Sequence, residues 1–324
     1  MSLTLKETQT MLDPLARDVK IGLTSQPKRL YSKYFYDARG DGLFQQIMAL
    51  EEYYLTRAEL EVFQTQKERL LQIIGGEETF QLVELGAGDG QKTKVLLEYF
   101  QQQNVDFSYC PVDISENVLQ QLEKRMRAEI PDLTIKPLAG DYFDVLADLK
   151  FKNHSKTVAF FLGSNIGNFL ADKVQQFLVS IHDNLRSGDY LMIGFDLKKD
   201  PKTILKAYND SKGVTKAFNL NLLKRINNEL GANFDLDKFQ HNPVYDPQTG
   251  ECRSYLVSTE EQEVTIAAIE KTVHFDAWEP IFMEVSKKYA PKEIEELAQA
   301  TGFKVVENLY DSQKRFADSV WQVV

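Results

Sequence analysis

The chain of 324 residues is poor in cysteine, with only Cys110 and Cys252, far apart and in no CxxC pair. That argues against a disulfide framework or a thiolate metal site and fits a reducing compartment. Histidine is scarce too. His154, His182, His241 and His274 stand singly, without an HxxxH or HExxH spacing, so no metal site is expected. No run approaches the ~20 apolar residues that a spanning helix needs. Residues 1–20 lack the basic stretch and apolar run of a signal peptide. Positive charge is in deficit. The formal net charge of −10 argues against a broad surface for nucleic acid or an anionic membrane. Internal repeats and low-complexity segments are absent as well. What remains is a soluble globular protein, expected to be a cytoplasmic monomer that acts on a small molecule.

Residues 1–75 read as helical, with apolar runs at Leu43 to Leu50 and Ala58 to Ile74. From residue 80 the pattern changes to strand–helix alternation. Strands are expected at Phe80–Leu85, Phe107–Ile114, Thr134–Leu138, Thr157–Leu162 and Tyr190–Phe195. Between them, apolar residues recur at helical spacing, as at Val174, Phe177, Leu178, Ile181 and Leu185. Such alternation predicts an α/β fold, a doubly wound and mostly parallel sheet with helices on both faces.

After Asp196 the alternation stops. A helical stripe of Val214, Phe218, Leu222, Ile226 and Leu230 leads into antiparallel strand patterns between about 244 and 288. A helix from Pro291 to Ala300 and closing strands at Lys304–Leu309 and Ser319–Val323 follow. The expected organisation is a Rossmann-like domain over 61–196 and 286–324, with a second α+β lobe from 1–60 and 197–285. A ligand is expected in a cleft between the lobes, above the strand ends.

The segment Val83-Glu84-Leu85-Gly86-Ala87-Gly88-Asp89-Gly90 sits where the first strand turns into a helix. Glycines at alternate positions let backbone pass close to a ligand. The spacing is not the GxGxxG of dinucleotide sites, where a helix N-terminus receives a pyrophosphate. Glu84 suits the cationic amino-acid part of S-adenosylmethionine better than a phosphate. Asp113 closes the second strand, where it can accept the ribose hydroxyls. Asp141 follows the third, within reach of an adenine amino group, with Tyr142 against the ring. Taken singly, the glycines read equally as a tight turn and Asp113 as a helix cap. Together, at the ends of successive strands, they point to S-adenosylmethionine as methyl donor, with no metal.

Further stretches are distinctive: Tyr34-Phe35-Tyr36-Asp37-Ala38-Arg39-Gly40, Glu52-Tyr53-Tyr54-Leu55-Thr56-Arg57, Phe161-Leu162-Gly163-Ser164-Asn165-Ile166-Gly167-Asn168, Lys206-Ala207-Tyr208-Asn209-Asp210 and Met283-Glu284-Val285-Ser286. In these the chain resembles, over nearly its whole length, the histidine Nα-methyltransferases of ergothioneine biosynthesis, which make the trimethylated betaine hercynine. The resemblance implies that Gly86, Lys92, Asp113, Asp141 and Tyr142 bind the cofactor. It implies that Asn168 and Tyr208 hold the amino and carboxylate ends of the amino acid, with the Gly163 carbonyl near the amine. Tyr36 and Tyr53 are expected to face the same substrate, and Glu284 and Ser286 to hydrogen-bond its imidazole.

The residue types suit that chemistry. Methyl transfer to an amine is an in-line displacement in which positioning dominates. An Asn carbonyl accepting an amine N–H aims the lone pair, and Tyr36 is a candidate proton acceptor. On a strand, residues two apart share a face, so Glu284 and Ser286 can meet both imidazole nitrogens. On its own, Glu284 reads equally as a surface partner of Lys287 or Lys288. Ser254 is a departure, standing where the resembled bacterial pattern has a Met against the imidazole. A smaller, polar wall leaves room for a larger ring, so tryptophan or tyrosine is the alternative substrate. A catalytically silent cofactor-binding protein and a dinucleotide oxidoreductase are the readings of other classes. The set Asn168, Tyr208, Glu284 and Ser286 disfavours the former, and the glycine spacing the latter.

Overall fold

The computed structural model describes residues 13–75, 79–140, 142–152 and 155–324. The chain divides into two compact units, one comprising residues up to Tyr54 with Lys199–Ser286, the other Leu55–Lys198 with Lys287–Val324.

The second unit is built on a seven-stranded sheet. In chain order its elements are helix α3 (Leu55–Ile74), β1 (Phe80–Leu85), α4 (Gln91–Gln102), β2 (Phe107–Asp113), α5 (Glu116–Glu129), β3 (Leu138–Ala139), α6 (Tyr142–Lys152), β4 (Lys156–Phe161), α7 (Ala171–Asn184) and β5 (Tyr190–Asp196). Helix α10 (Pro291–Ala300), β11 (Phe303–Tyr310) and β12 (Phe316–Val323) complete it. The strand order is β11-β12-β5-β4-β1-β2-β3. Strands β1 to β5 run parallel, whereas β12 lies antiparallel to both β5 and β11. The order reverses between β1 and β4, the point at which ligands bind in open α/β sheets.

The central strands are apolar because both faces are covered. Neighbouring residues therefore enter different cores. Val83, Phe161, Ile193 and Trp321 pack on one face, and Leu82, Phe160, Met192 and Val320 on the other. Each large side chain buried this way contributes roughly 1.5–3 kcal/mol. Cys110 and Cys252 are buried, in different units.

The first unit holds α1 (Pro14–Leu23), α2 (Ala38–Met48), α8 (Pro201–Tyr208) and α9 (Val214–Leu230). Its strands are β6 (Phe239–Asp246), β7 (Glu251–Ser258), β8 (Gln262–Ile266), β9 (Lys271–Phe275) and β10 (Pro280–Lys287). They form a three-stranded sheet, β10-β7-β6, and a β8-β9 hairpin. Asp13 and Asp200 cap α1 and α8 by accepting from Leu15 N and Lys202 N, each with proline in the first turn. The stripe Phe218, Leu222, Ile226 and Leu230 faces a core with Phe35, Leu256 and Met283.

Two boundaries differ from expectation. The third strand is Leu138–Ala139, beginning where the expected one ended. The segment before it makes only an isolated bridge, Ile135 to Tyr109, and Pro137 has no N–H with which to continue a ladder. The unit boundary falls at Leu55, because α3 continues unbroken from there and its buried face belongs with the seven-stranded sheet. Asp141 and His154 lie outside the described residues.

Candidate active site

The expected site residues divide between the two units. In the second, β1 ends in a loop where Gly86 and Gly88 have φ of +72° and +53°, which L side chains rarely adopt. A Cβ on Gly86 would come within 2.9 Å of the Tyr142 hydroxyl, while one on Gly88 would meet only open space. Tyr142 thus lies against the glycine loop, its ring 6.4 Å from Phe161. At the end of β2, Asp113 Oδ1 accepts from Ser115 N at 3.0 Å, and the Asp113 carbonyl accepts from Gly140 N. The helix cap is Ser115, not Asp113. Among the described residues no partner takes the second Asp113 oxygen, which remains available to a hydroxyl.

Glu84 is turned inward. Its oxygens accept from Thr93 Oγ1 at 2.6 Å and Tyr109 OH at 2.5 Å. Burial pushes its pKa up to about 7, against the lowering influence of these bonds and of Lys92. It ties the end of β1 to α4 and β2. Lys92 pairs with the Glu59 carboxylate, and 28% of its side chain is accessible. Burial opposes its charge, but Glu59 outweighs this and the ammonium pKa is raised. The open space at Gly88, the available Asp113 oxygen and the Lys92 ammonium fit a nucleoside carrying a carboxylate. Among the described residues no group of three or more His, Cys, Asp and Glu could hold a metal ion.

After β4 the chain turns through Gly163 and Ser164 into a 3-10 turn, Asn165–Asn168. Ser164 is buried and its Oγ accepts from Asp196 N at 3.1 Å. The turn also lies against backbone. A Cβ on Gly167 would come within 2.7 Å of the Lys287 carbonyl oxygen, so only glycine fits. Asn168, next in sequence, is exposed. Gly163 N donates to Glu59 Oε1 at 2.6 Å.

In the first unit, the Tyr208 hydroxyl donates to Ser286 Oγ at 2.8 Å, and both residues are buried. The Tyr53 ring stands edge-on to Tyr208 at 6.5 Å. Glu284, half-buried on β10, lies two residues before Ser286. Its neighbours Lys287 and Lys288 have acids of their own, Glu293 and Asp196. Tyr36 packs edge-on against Phe44 and Phe218. Although 45% of its surface is accessible, the protein around the phenol, then the Glu284 and Asp41 carboxylates, raise its pKa well above the ordinary value. Tyr36 is therefore a neutral phenol at physiological pH. Ser254 is buried on β7, on the face that carries Cys252 and Leu256.

Two supporting residues were not among those expected. His241 Nε2 lies 3.0 Å from the Tyr208 carbonyl oxygen, which can only accept, so the proton is on Nε2. Burial lowers the His241 pKa, keeping the ring neutral. The other is Glu59. Its signal was available, for it falls on the apolar stripe of α3 with Leu55, Ala58, Val62 and Phe63.

The profile described as "Histidine-specific methyltransferase, SAM-dependent" matches residues 15–323. A histidine N-alpha-methyltransferase of Mycolicibacterium smegmatis is 38% identical over 89% of this chain and 88% of the relative. One of Mycobacterium tuberculosis is 37% identical over 88% of each. Ergothioneine biosynthesis protein 1 of Schizosaccharomyces pombe is 30% identical over 86% of this chain, which spans 37% of that longer protein.

Proposed function

The chain belongs to the histidine-specific, S-adenosylmethionine-dependent methyltransferase family, and on that premise we propose that it methylates the α-amine of L-histidine three times, giving hercynine. This is the first step of ergothioneine biosynthesis. The observation that carries the choice of histidine is on β10. A half-buried carboxylate, Glu284, stands two residues from a buried hydroxyl, Ser286, already tied to Tyr208. A carboxylate beside a hydroxyl matches two ring nitrogens, one donating and one accepting. An aliphatic side chain offers neither group a hydrogen bond.

S-adenosylmethionine supplies an electrophilic methyl group on a sulfonium centre. In this reading Gly86, Gly88, Lys92, Asp113, Asp141 and Tyr142 hold it, and Glu84 supports the loop. The Asn168 side-chain carbonyl accepts an amine N–H, and the Gly163 carbonyl accepts a second, so the lone pair is directed. Tyr208 and Tyr53 receive the carboxylate. Tyr36, a neutral phenol, accepts a hydrogen bond from the amine, and the proton that the amine loses goes to water. The buried Ser254 borders the ring-binding side. Its small size supports a second reading, the same chemistry on a larger aromatic amino acid.

Incubation with S-adenosylmethionine and each of the twenty amino acids, read by mass spectrometry, decides between the two readings. Histidine alone should gain three methyl groups. A product from tryptophan or tyrosine but not histidine would transfer the assignment to the second reading. In calorimetric titrations Glu284→Ala should weaken histidine binding far more than cofactor binding, and equal losses would sink the imidazole assignment. Asn168→Ala should lower turnover while S-adenosylmethionine still binds.

A further inference from the structure

Glu59 is 1% exposed, on the stripe by which α3 packs. A buried carboxylate is costly unless charged and hydrogen-bonded partners compensate, so its partners show what the position is for. Oε2 accepts from the Lys92 ammonium near the start of α4, and Oε1 accepts from Gly163 N at 2.6 Å. The space is made by Gly194 on β5, where a Cβ would come within 2.6 Å of Glu59 Oε1. Opposite Gly194, on β12, stands Asp318, fully buried and, among the described residues, with neither carboxyl oxygen hydrogen-bonded. Burial and the nearby Glu59 raise the Asp318 pKa, and among the described residues Glu59 is the carboxylate that pairs directly with the lysine.

We propose that Glu59 is a positioning residue that fixes the cofactor-binding lysine and the amine-binding turn with the two oxygens of one carboxylate. The inference rests on the methyltransferase reading for the roles of Lys92, Gly163 and Asn168. An ammonium has three N–H donors. Among the described residues one of them goes to Glu59, leaving two for the carboxylate of a ligand. Without that anchor, the charge sits at the end of a flexible four-carbon stem. On the other side, the Gly163 N–H would lose its acceptor at the entry to the segment that ends in Asn168. Displacement of reacting groups by about 1 Å is enough to cost catalysis heavily.

The test uses the full chain with Glu59→Gln, Lys92→Met and the double variant. S-adenosylmethionine affinity is measured by calorimetry without amino acid, and kcat with both substrates saturating. Glu59→Gln keeps the side chain's size but turns an NH2 towards the ammonium or towards Gly163 N–H. Its Kd for S-adenosylmethionine should rise about tenfold or more, and kcat should fall about tenfold or more. Because Glu59 acts on the cofactor through Lys92, the double variant should bind S-adenosylmethionine no more weakly than Lys92→Met. Additive losses of affinity would overturn the proposal. So would a Glu59→Gln protein with a lowered Tm but wild-type Kd and kcat, the pattern of a purely structural role. Should Glu59→Gln fail to fold, Glu59→Asp keeps the charge and shortens its reach by one carbon. The same double loss is expected, and wild-type Kd and kcat in that variant would be equally fatal. A wild-type chain that binds S-adenosylmethionine yet methylates no amino acid would refute the proposed function, and the affinity cycle would still decide on Glu59.

Discussion

Lys288 and Lys92 each meet a carboxylate that is almost wholly buried, Asp196 in one case and Glu59 in the other. The Lys288–Asp196 pair is sealed, with both side chains 0% exposed and 2.8 Å between charges. Around it the backbone is tied down, Asp196 N to Ser164 Oγ and Tyr289 N to the Asp196 carbonyl. The Lys92–Glu59 pair has an open side, since 28% of the lysine side chain is accessible. Both pairs brace the turn after β4, one through Ser164 and the other through Gly163. A sealed pair can only hold architecture. An open one can hold architecture and a ligand together.

The largest effect should come from the sealed pair. Lys288→Met leaves the Asp196 charge without its lysine in a fully buried setting and should cost about 3–5 kcal/mol in urea unfolding. A loss under about 1 kcal/mol would end the distinction between the two pairs. Lys92→Met should cost less stability, about 1–3 kcal/mol, because Glu59 keeps the Gly163 N–H and water can approach. Its main deficit should be in S-adenosylmethionine affinity, read by calorimetry.

Glu84 sharpens the comparison, being a buried acid with hydroxyl partners instead of a lysine. Between the ordinary 4.5 and its native value of about 7, the folded state binds the proton more tightly than the unfolded chain. Its presence therefore costs nothing below pH 4.5 and costs stability progressively as pH rises through about 7. Thr93 and Tyr109 hydroxyls can donate or accept, so Glu84→Gln should fold. Its urea midpoint should gain on the wild type across that window, and a parallel pH profile would refute the assignment. The smallest effect is expected for Tyr208→Phe, about 1 kcal/mol from the lost bond to Ser286. It should appear mainly as a raised KM for the amino acid.

The sheet was legible because its strands are short continuous apolar runs between glycines and amphipathic helices. Lys156–Phe161 and Tyr190–Asp196 lie within a residue of expectation. The glycine loop and Asp113 were legible from their places at strand ends. Contacts made by distant parts of the chain were not. Tyr208 and Ser286 are 78 residues apart, and no periodicity predicts that their hydroxyls meet. Glu59 and Gly163 are 104 apart. Glu84 was expected near the cofactor, and its bonds to Thr93 and Tyr109 are contacts that depend on tertiary packing.

Strand β12 is the last of the sheet to leave the ribosome, yet it lies inside the sheet, between β5 and β11. Until Phe316–Val323 emerges, β5 shows an unpaired edge bearing Leu191, Met192, Ile193 and Phe195, the kind of edge that recruits other chains. Asp318, which lies against the Glu59 cluster, arrives with it. Nascent chains should therefore depend on chaperones until Phe316–Val323 has emerged. A message truncated before Phe316 would yield an aggregating product and not a weakened enzyme.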